Sequence, residues 1–522
     1  MAYAQFGTSY YKYGSSDRLY GVPGTTPTTK LWTINIDWDN DGLYSGDNEA
    51  LYCTGLETDR GFTDVYAING EGYYDHFAPP QVGTCTLTLS NHTGRYNLWN
   101  ADGSPSTSIR PGVLASVLVR DGYTSTDSPV FAGIVKSISV DEVADNVTLT
   151  LHDGVEVLQD REVHIAKLDS PSNATVLETI LSEIDWRWSY SESVLDSTPQ
   201  YFLANERASR ILHDFAKTGP NVFFTDGSGN LRLEPVTAEG YTSSDPDMVT
   251  HTVDATTLLK DIKMSLPWEN LATRYQIASY VYQAQASGVI WSQGDNTYQI
   301  AAESTQTLLI DYSYSNNQNP DLFFAVPTTP ASSTDWVVNT SPDGLGSNIT
   351  SSVTVTLTDY SRRGLLTIVN SSTDAGYFTT FQVRGTPYIA YKSTEQVDLT
   401  DWLGVGTRLF TVDTPYNNGT NSKAQIAYTY LGYPHNQRQL QVQIQTRPVQ
   451  FAKEINDLIL LDGAIPTQYK IKSWGTGGLT EYYYNQFRIM RIRHKWLSTN
   501  GQDILTIWNL RHAAQTQEPN IF

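Results

Sequence analysis

Residues 84–100, TCTLTLSNHTGRYNLWN, with IRPGVLASVLVRDG (109–122), VFAGIVKSISV (130–140) and NVTLTLHDGVEVLQDREV (146–163), decide how this chain is read. In the first segment Cys85, Leu87 and Leu89 alternate with threonines, the period-two pattern of a half-buried β-strand, and 91–94 reads as the turn that ends it. Pro111-Gly112 breaks the chain before a second strand at 113–120. The last two segments supply further strands, with Val147, Leu149 and Leu151 on one face and His152-Asp153-Gly154 leaving the sheet. The expectation is a small antiparallel β unit in which each apolar face meets one core.

Around this unit the rest of the chain is also strand-rich. Its 522 residues correspond to about three to four domains. With 33 Tyr, 12 Trp and 37 Gly but only 17% charged residues, the composition favours strands and turns over long helices. No run approaches the ~18–20 apolar residues that cross a bilayer. The N-terminal MAYAQFGTSYYKYGSS lacks the basic region and apolar core of a signal peptide. Stable membrane insertion is therefore not expected.

Five pieces follow from the patterning. Residues 1–30, rich in Gly, Ser, Tyr and Thr, read as an extended arm that orders against a neighbour or stays mobile, with Tyr3, Phe6, Tyr10, Tyr11 and Tyr13 expected to pack on an adjacent subunit or tail protein. Residues 31–165 form a first β-barrel. Residues 166–250 are a small α/β unit. Val176, Leu177, Ile180, Leu181 and Ile184 make one helical face after an Asn173 cap. Ala208, Ile211, Leu212, Phe215 and Ala216 make another after Asn205, ended by Gly219-Pro220. A hairpin then turns through Asp226-Gly227-Ser228-Gly229. Residues 251–395 are a β-rich accessory unit, and 396–522 a second barrel-like unit with a short helix near 423–431. The fold class is mainly β with a small α/β insertion.

The landmarks stand in a fixed order: Asn91 with Gly94-Arg95-Tyr96, Arg110-Pro111-Gly112, Phe131-Ala132-Gly133-Ile134 and Asp160-Arg161-Glu162. Downstream come the helix and hairpin of 204–235 and the strand YFTTFQVRGTP at 377–387. In this order the chain resembles the hub and tail-tip proteins of tailed bacteriophages, over roughly residues 31–515; residues 1–30 have no counterpart in that pattern. The resemblance implies a non-enzymatic virion protein of the baseplate or tail tip. Such a protein closes the tail tube, anchors tip or fibre proteins, contacts the tube or distal tail protein and the tape measure protein, and lets genomic DNA pass during ejection. It also implies two similar barrels per chain and a homotrimer, so that three chains match a six-fold tube. The closing runs NVTLTLHDGVEVL and QDILTIWNLRHA are consistent with such a repeat. The alternative is a distal tail protein or carbohydrate-binding adhesin used in host attachment.

Charge bears on the same question. The formal net charge is −21 with scattered acidic residues, and no basic stripe of the kind that would hold DNA by its phosphates is visible in the sequence. The one basic concentration, Arg488, Arg491, Arg493 and Lys495, alternates with apolar residues and reads as a polar strand face meeting acidic neighbours. Cys53 and Cys85 lie in strand-like runs without metal-type spacing and read as buried apolar residues, with a disulfide between them as the lesser alternative. The nine histidines are dispersed and form no zinc-protease or hydrolase motif. A carboxylate pair ~5–10 Å apart is set by the fold and leaves no sequence signature, so a tail-associated lysin stands as a third reading.

One stretch suggests site chemistry. Asp37-Trp38-Asp39-Asn40-Asp41-Gly42 places three carboxylates at alternating positions before a glycine, which suits a hard cation such as calcium. Asp37, Asp39, Asp41 and Glu49 would be side-chain ligands, with the Leu43 carbonyl. The loop departs from the helical calcium hand because position twelve is Asn48 and the preceding LWTINI is a strand. The alternative is an acidic turn in which Asp and Asn bond their own backbone.

Overall fold

The computed structural model describes residues 32–62, 79–97, 109–120, 127–192, 199–235, 252–253, 262–265, 273–313, 323–398, 407–418, 441–446, 453–461, 471–474, 481–496 and 504–512, with positions 43, 45–47, 142, 220, 295–296, 408 and 485 left out. The arm at 1–30 and the helix expected near 423–431 lie outside them.

The first unit has six strands: β1 Trp32–Ile36, β2 Cys53–Gly61, β3 Thr84–Ser90, β4 Leu114–Arg120, β5 Asp127–Asp141 and β6 Asn146–His152. They hydrogen-bond in the order β1-β4-β5-β6-β3-β2, all antiparallel. Alternation sets the buried face. Leu87 and Leu89 of β3, Leu149 and Leu151 of β6 and Val117 and Val119 of β4 all face one core, with Cys53 and Cys85 among them. Both cysteines are free and buried, and burial pushes the Cys53 thiol up to about 12.

Two landmark glycines serve different physical needs. Gly112 has φ +89 with open space around it, so the Pro111-Gly112 break needs a residue without a left-handed penalty. Gly133 meets the β6 chain closely, since a Cβ there would lie 2.0 Å from the His152 carbonyl oxygen.

No helix is expected from the sequence at 154–160, the run that follows the exit from β6. That run is a short helix, α1 (Gly154–Asp160), with Asp153 as its cap: the side chain accepts from the Val155 amide. The spacing of Asp153 and Glu156 is a capping-box pattern and was the available signal. There follow β7 Glu162–Asp169, α2 Asn173–Glu183, β8 Tyr190–Glu192, β9 Tyr201–Arg207, α3 Ala208–Ala216, β10 Asn221–Thr225 and β11 Leu231–Pro235. Both predicted helical faces are buried together. The caps differ. Ser172, not Asn173, accepts from the Thr175 amide. α3 starts after Arg207 without a side-chain cap, while Asn205 lies in β9 and its Oδ1 meets His164 Nδ1 at 2.5 Å.

Short strands β12 Thr252–Val253 and β13 Lys263–Ser265 come next. The accessory unit consists of β14 Arg274–Ala284, β15 Gly288–Ser292, β16 Tyr298–Ile300, β17 Ser304–Asp311, β18 Phe323–Pro327, β19 Trp336–Asn339, β20 Val353–Asp359, β21 Arg363–Asn370, β22 Gly376–Asp398 and β23 Leu409–Val412. The 23-residue β22 is its spine, pairing with β14, β15, β16, β18 and β19. The β17-β21-β20 sheet contributes Ile310, Leu366, Ile368 and Val355 to the same core as Phe378 and Phe381 of β22.

The remaining strands are β24 Gln441–Thr446, β25 Leu458–Leu461, β26 Ile471–Trp474, β27 Glu481–Tyr484, β28 Gln486–Trp496 and β29 Ile504–His512. They join the first unit: β2 bonds to β28, and one sheet runs β1-β4-β5-β6-β3-β2-β28-β29-β24-β13. Chain order and spatial order differ at two expected boundaries. β12 and β13 belong to this second β unit through β25 and β24, although they precede the accessory strands. β22 continues past 396, and β23 returns to β14.

Candidate functional site

The acidic turn leaves β1 at the rim of the first unit. Asp37, Asp39 and Asp41 come within 4.8 Å of one another through their carboxylate oxygens. Asp37 is buried and closes the turn itself, accepting from the Asp41 amide at 3.1 Å and the Gly42 amide at 3.0 Å. Asp39 and Asp41 are exposed. Chemically this is a carboxylate cluster able to meet a hard cation and a turn that one member already holds. Leu43 lies outside the described residues.

Glu49 is not in that cluster. It is buried beneath the turn, where Oε1 accepts from Trp38 Nε1 at 3.1 Å and Oε2 from the Tyr96 hydroxyl. Arg95 reaches the same carboxylate at 3.4 Å and lies over the Tyr52 ring, 4.6 Å from its centre. Asn91 holds the loop, accepting from the Tyr96 amide at 2.8 Å. Burial, with Glu49 alongside, raises the Tyr96 hydroxyl far above its ordinary value, so it stays a donor. The Asn91…Gly94-Arg95-Tyr96 landmark thus builds a buried polar anchor under the acidic turn.

The second cluster is the seam where β2 meets β28. Their register sets Glu57 opposite Lys495 and Asp59 opposite Arg493. On the outer face Asp59 accepts from Arg491 at 2.6 and 2.5 Å and from Arg493 at 2.8 Å, and Lys495 pairs with Glu57 at 3.3 Å. The basic strand read from sequence is therefore matched by an acidic strand from the other end of the chain. Arg488 turns inward and donates to the Asn456 carbonyl at 3.1 Å.

Behind this face lies a buried knot. Arg60 of β2 donates Nε to the Val130 carbonyl at 3.0 Å, one terminal nitrogen to the Thr225 carbonyl at 3.0 Å, and both terminal nitrogens to Glu454 at 3.0 and 3.2 Å. Glu454 also accepts from the Gly227 amide at 2.9 Å, and Asp153 accepts from the Thr225 hydroxyl at 2.6 Å. The first unit, the α/β hairpin and the second β unit meet at one guanidinium. Burial raises the Asp153 and Glu454 carboxyls against the pull of Arg60. Burial, with Arg60 nearby, lowers His494 to about 3, so its neutral ring bonds Thr506 Oγ1 at 3.0 Å. Sequence reasoning singled out neither Arg60 nor Glu454, and no local pattern marks them.

Several described tryptophans and histidines elsewhere in the chain are held by structural partners. Trp336 is buried, Trp291 sits edge-on to Phe381 at 5.2 Å and Trp186 to Trp188 at 5.1 Å. His152 meets Glu156 at 3.1 Å, and His164 packs on Tyr360. The α/β and accessory units are clamped by Tyr201, edge-on to Tyr282, Phe324 and Tyr388, and by Asn418, which accepts from the Tyr201 amide at 3.0 Å and donates to its carbonyl at 2.7 Å.

No family model matches the chain, and no curated protein matches it. Among solved structures it is similar to the tail protein from Neisseria meningitidis MC58, at 8% identity and TM-score 0.45, covering 92% of this chain and 97% of that one. It is also similar to the prophage MuSo2 43 kDa tail protein from Shewanella oneidensis, at 11% identity and TM-score 0.42 over 93% and 98% of the two chains. A third is the prophage tail protein gp18 from Listeria monocytogenes EGD-e, at 9% and 0.41 over 92% and 94%.

Proposed function

We propose that this chain is a non-enzymatic structural protein of a phage tail, a homotrimeric hub at the tail tip that closes the tube, anchors tip or fibre proteins and opens for DNA. The observation that carries this reading is the fusion of two β units into one sheet through β2 and β28. Each chain so built can offer two linked units to a ring, as a match between three chains and a six-fold tube requires. Three of the ordered sequence landmarks support it as well, since Gly112 serves a turn, Gly133 a close approach and Asn91 with Tyr96 a buried anchor of the first unit. A net charge of −21 suits a channel wall along which DNA slides without binding.

Cryo-EM or native mass measurement of the assembled tip tests the proposal. The expected result is three copies around a central channel lined by acidic and neutral polar residues. A six-copy ring would instead support a distal tail protein, and a monomer carried on a fibre, an adhesin.

A further inference from the structure

We propose that the cavity between the α/β and accessory units binds a small zwitterion of the amino-acid kind, its ammonium group toward Asp214 and its carboxylate toward Arg362. The site lies within one chain and does not depend on how many copies assemble.

The cavity is half open, with a volume of about 90 Å³. Glu206 of β9 and Asp214 of α3 line its α/β side, Arg362 lines its accessory side, and Tyr201, Tyr282 and Tyr416 complete the wall. Arg362 is fixed by its backbone in the link from β20 to β21: its amide donates to the Tyr360 carbonyl at 2.7 Å, and its carbonyl accepts from the Tyr312 amide at 2.9 Å. Its half-buried guanidinium, by contrast, has neither an ion pair nor a side-chain hydrogen bond among the described residues. Asp214 is also short of partners. Lys217 and Arg210 stand 3.7 and 3.8 Å from its carboxylate, beyond hydrogen-bond distance, and Arg210 is drawn instead to Glu206 at 3.0 Å. Burial raises the Asp214 carboxyl against the pull of these cations.

Two opposite charges thus line one cavity without pairing with each other. Each is a half-buried group that lacks the hydrogen bonds its charge requires, which costs free energy until a partner supplies them. A cation alone would leave the guanidinium unmatched, and an anion alone would leave Asp214 so. One molecule that carries both charges satisfies both walls. The tyrosines suit such a ligand, because their ring faces attract an ammonium group and cover the methylenes between its charged ends. Burial pushes the Tyr282 hydroxyl up to about 12, so it remains a donor and adds no further negative charge.

Isothermal titration of the full chain with glycine, β-alanine and γ-aminobutyrate, beside butyrate and butylamine, tests the site. The graded amino acids match their charge separation to the gap between Arg362 and Asp214. At least one should bind saturably, with butyrate and butylamine each at least ~10-fold weaker for the charge-assisted contact it lacks. Arg362→Gln should abolish the preference over butylamine, Asp214→Asn the preference over butyrate, and Arg362→Lys should retain part of it. The thermal midpoint of the ligand-free protein should not fall in either Arg362 variant, because that guanidinium pairs with nothing in it. Absence of binding by every amino acid in the series would overturn the proposal and mean that the cavity holds water only. Binding that Arg362→Gln and Asp214→Asn leave unchanged would overturn it too. Neither result bears on the number of copies in the tip, which is measured separately.

Discussion

Arg60 and Glu454 stand 3.0 Å apart in a buried pair that joins positions 394 residues apart in the chain. Removing one member of such a pair leaves the other's charge buried and uncompensated, which costs ~3–5 kcal/mol, whereas replacing both with apolar groups of similar volume is often tolerated. Arg60→Ala should therefore lower the denaturation midpoint sharply and expose the amides of β28 to hydrogen exchange. Arg60→Met/Glu454→Met should recover much of the loss. If the single and double variants are equally destabilised, the pair does not hold the three units together.

His494 makes the same seam sensitive to acid. Its folded value of about 3 lies below the ordinary ~6.5, so the unfolded chain takes up the proton first. The stability that neutral His494 contributes is complete above ~6.5 and is lost progressively as pH falls toward about 3, at no more than ~1.4 kcal/mol per pH unit. Asp153 and Glu454 act in the opposite sense. Their raised values mean that their protonated forms favour the folded state, and this contribution is lost as pH rises through them. Urea unfolding of wild type and His494→Gln between pH 7 and pH 5 should show a shallower fall in the variant. Parallel curves would place the acid sensitivity elsewhere.

Gly133 and Gly112 predict different penalties. An alanine at 133 drives its Cβ into the His152 carbonyl and within 2.9 Å of the Asp153 Cα, and neither atom can move without shifting the β5–β6 pairing. Gly133→Ala should cost ~1–3 kcal/mol or more. Gly112→Ala meets no atom within 4 Å and should cost only the left-handed strain of ~1–2 kcal/mol. Thermal unfolding of the two variants gives the order.

What the sequence reveals depends on whether the cause is local. The β3 and β6 faces and the helical stripes of α2 and α3 follow from periodicity, and each buries the side chains expected. The basic strand of 488–495 was legible as a polar face. Its partners Glu57 and Asp59 were not, because an antiparallel pairing between distant strands leaves no trace in either one's spacing. α1 was missed for another reason: in GVEVLQD, Val155 and Val157 alternate as in a strand, and only the Asp153 cap decides for the helix. Glu49 had the right chemistry for a ligand, but Tyr96 and Arg95, which occupy it, come from a loop 47 and 46 residues on.

The acidic turn allows the last test. Three carboxylates within 4.8 Å repel one another unless a cation lies between them, and Asp37 cannot withdraw because it holds the Asp41 and Gly42 amides. In calcium-free buffer, Asp39→Asn/Asp41→Asn should raise stability slightly, by less than ~1 kcal/mol for exposed groups. Asp37→Ala should lower it, since it uncaps two amides in a buried position. Calcium then separates the two uses of the loop. A midpoint that rises with calcium in the wild type and stays fixed in the Asp39→Asn/Asp41→Asn variant would show an ion bound to the folded turn, by mass action on the native state alone. A wild type indifferent to calcium, with Asp37→Ala still destabilised, would show that the cluster's task is to turn the chain out of β1, with Glu49 and Tyr96 anchoring it from below.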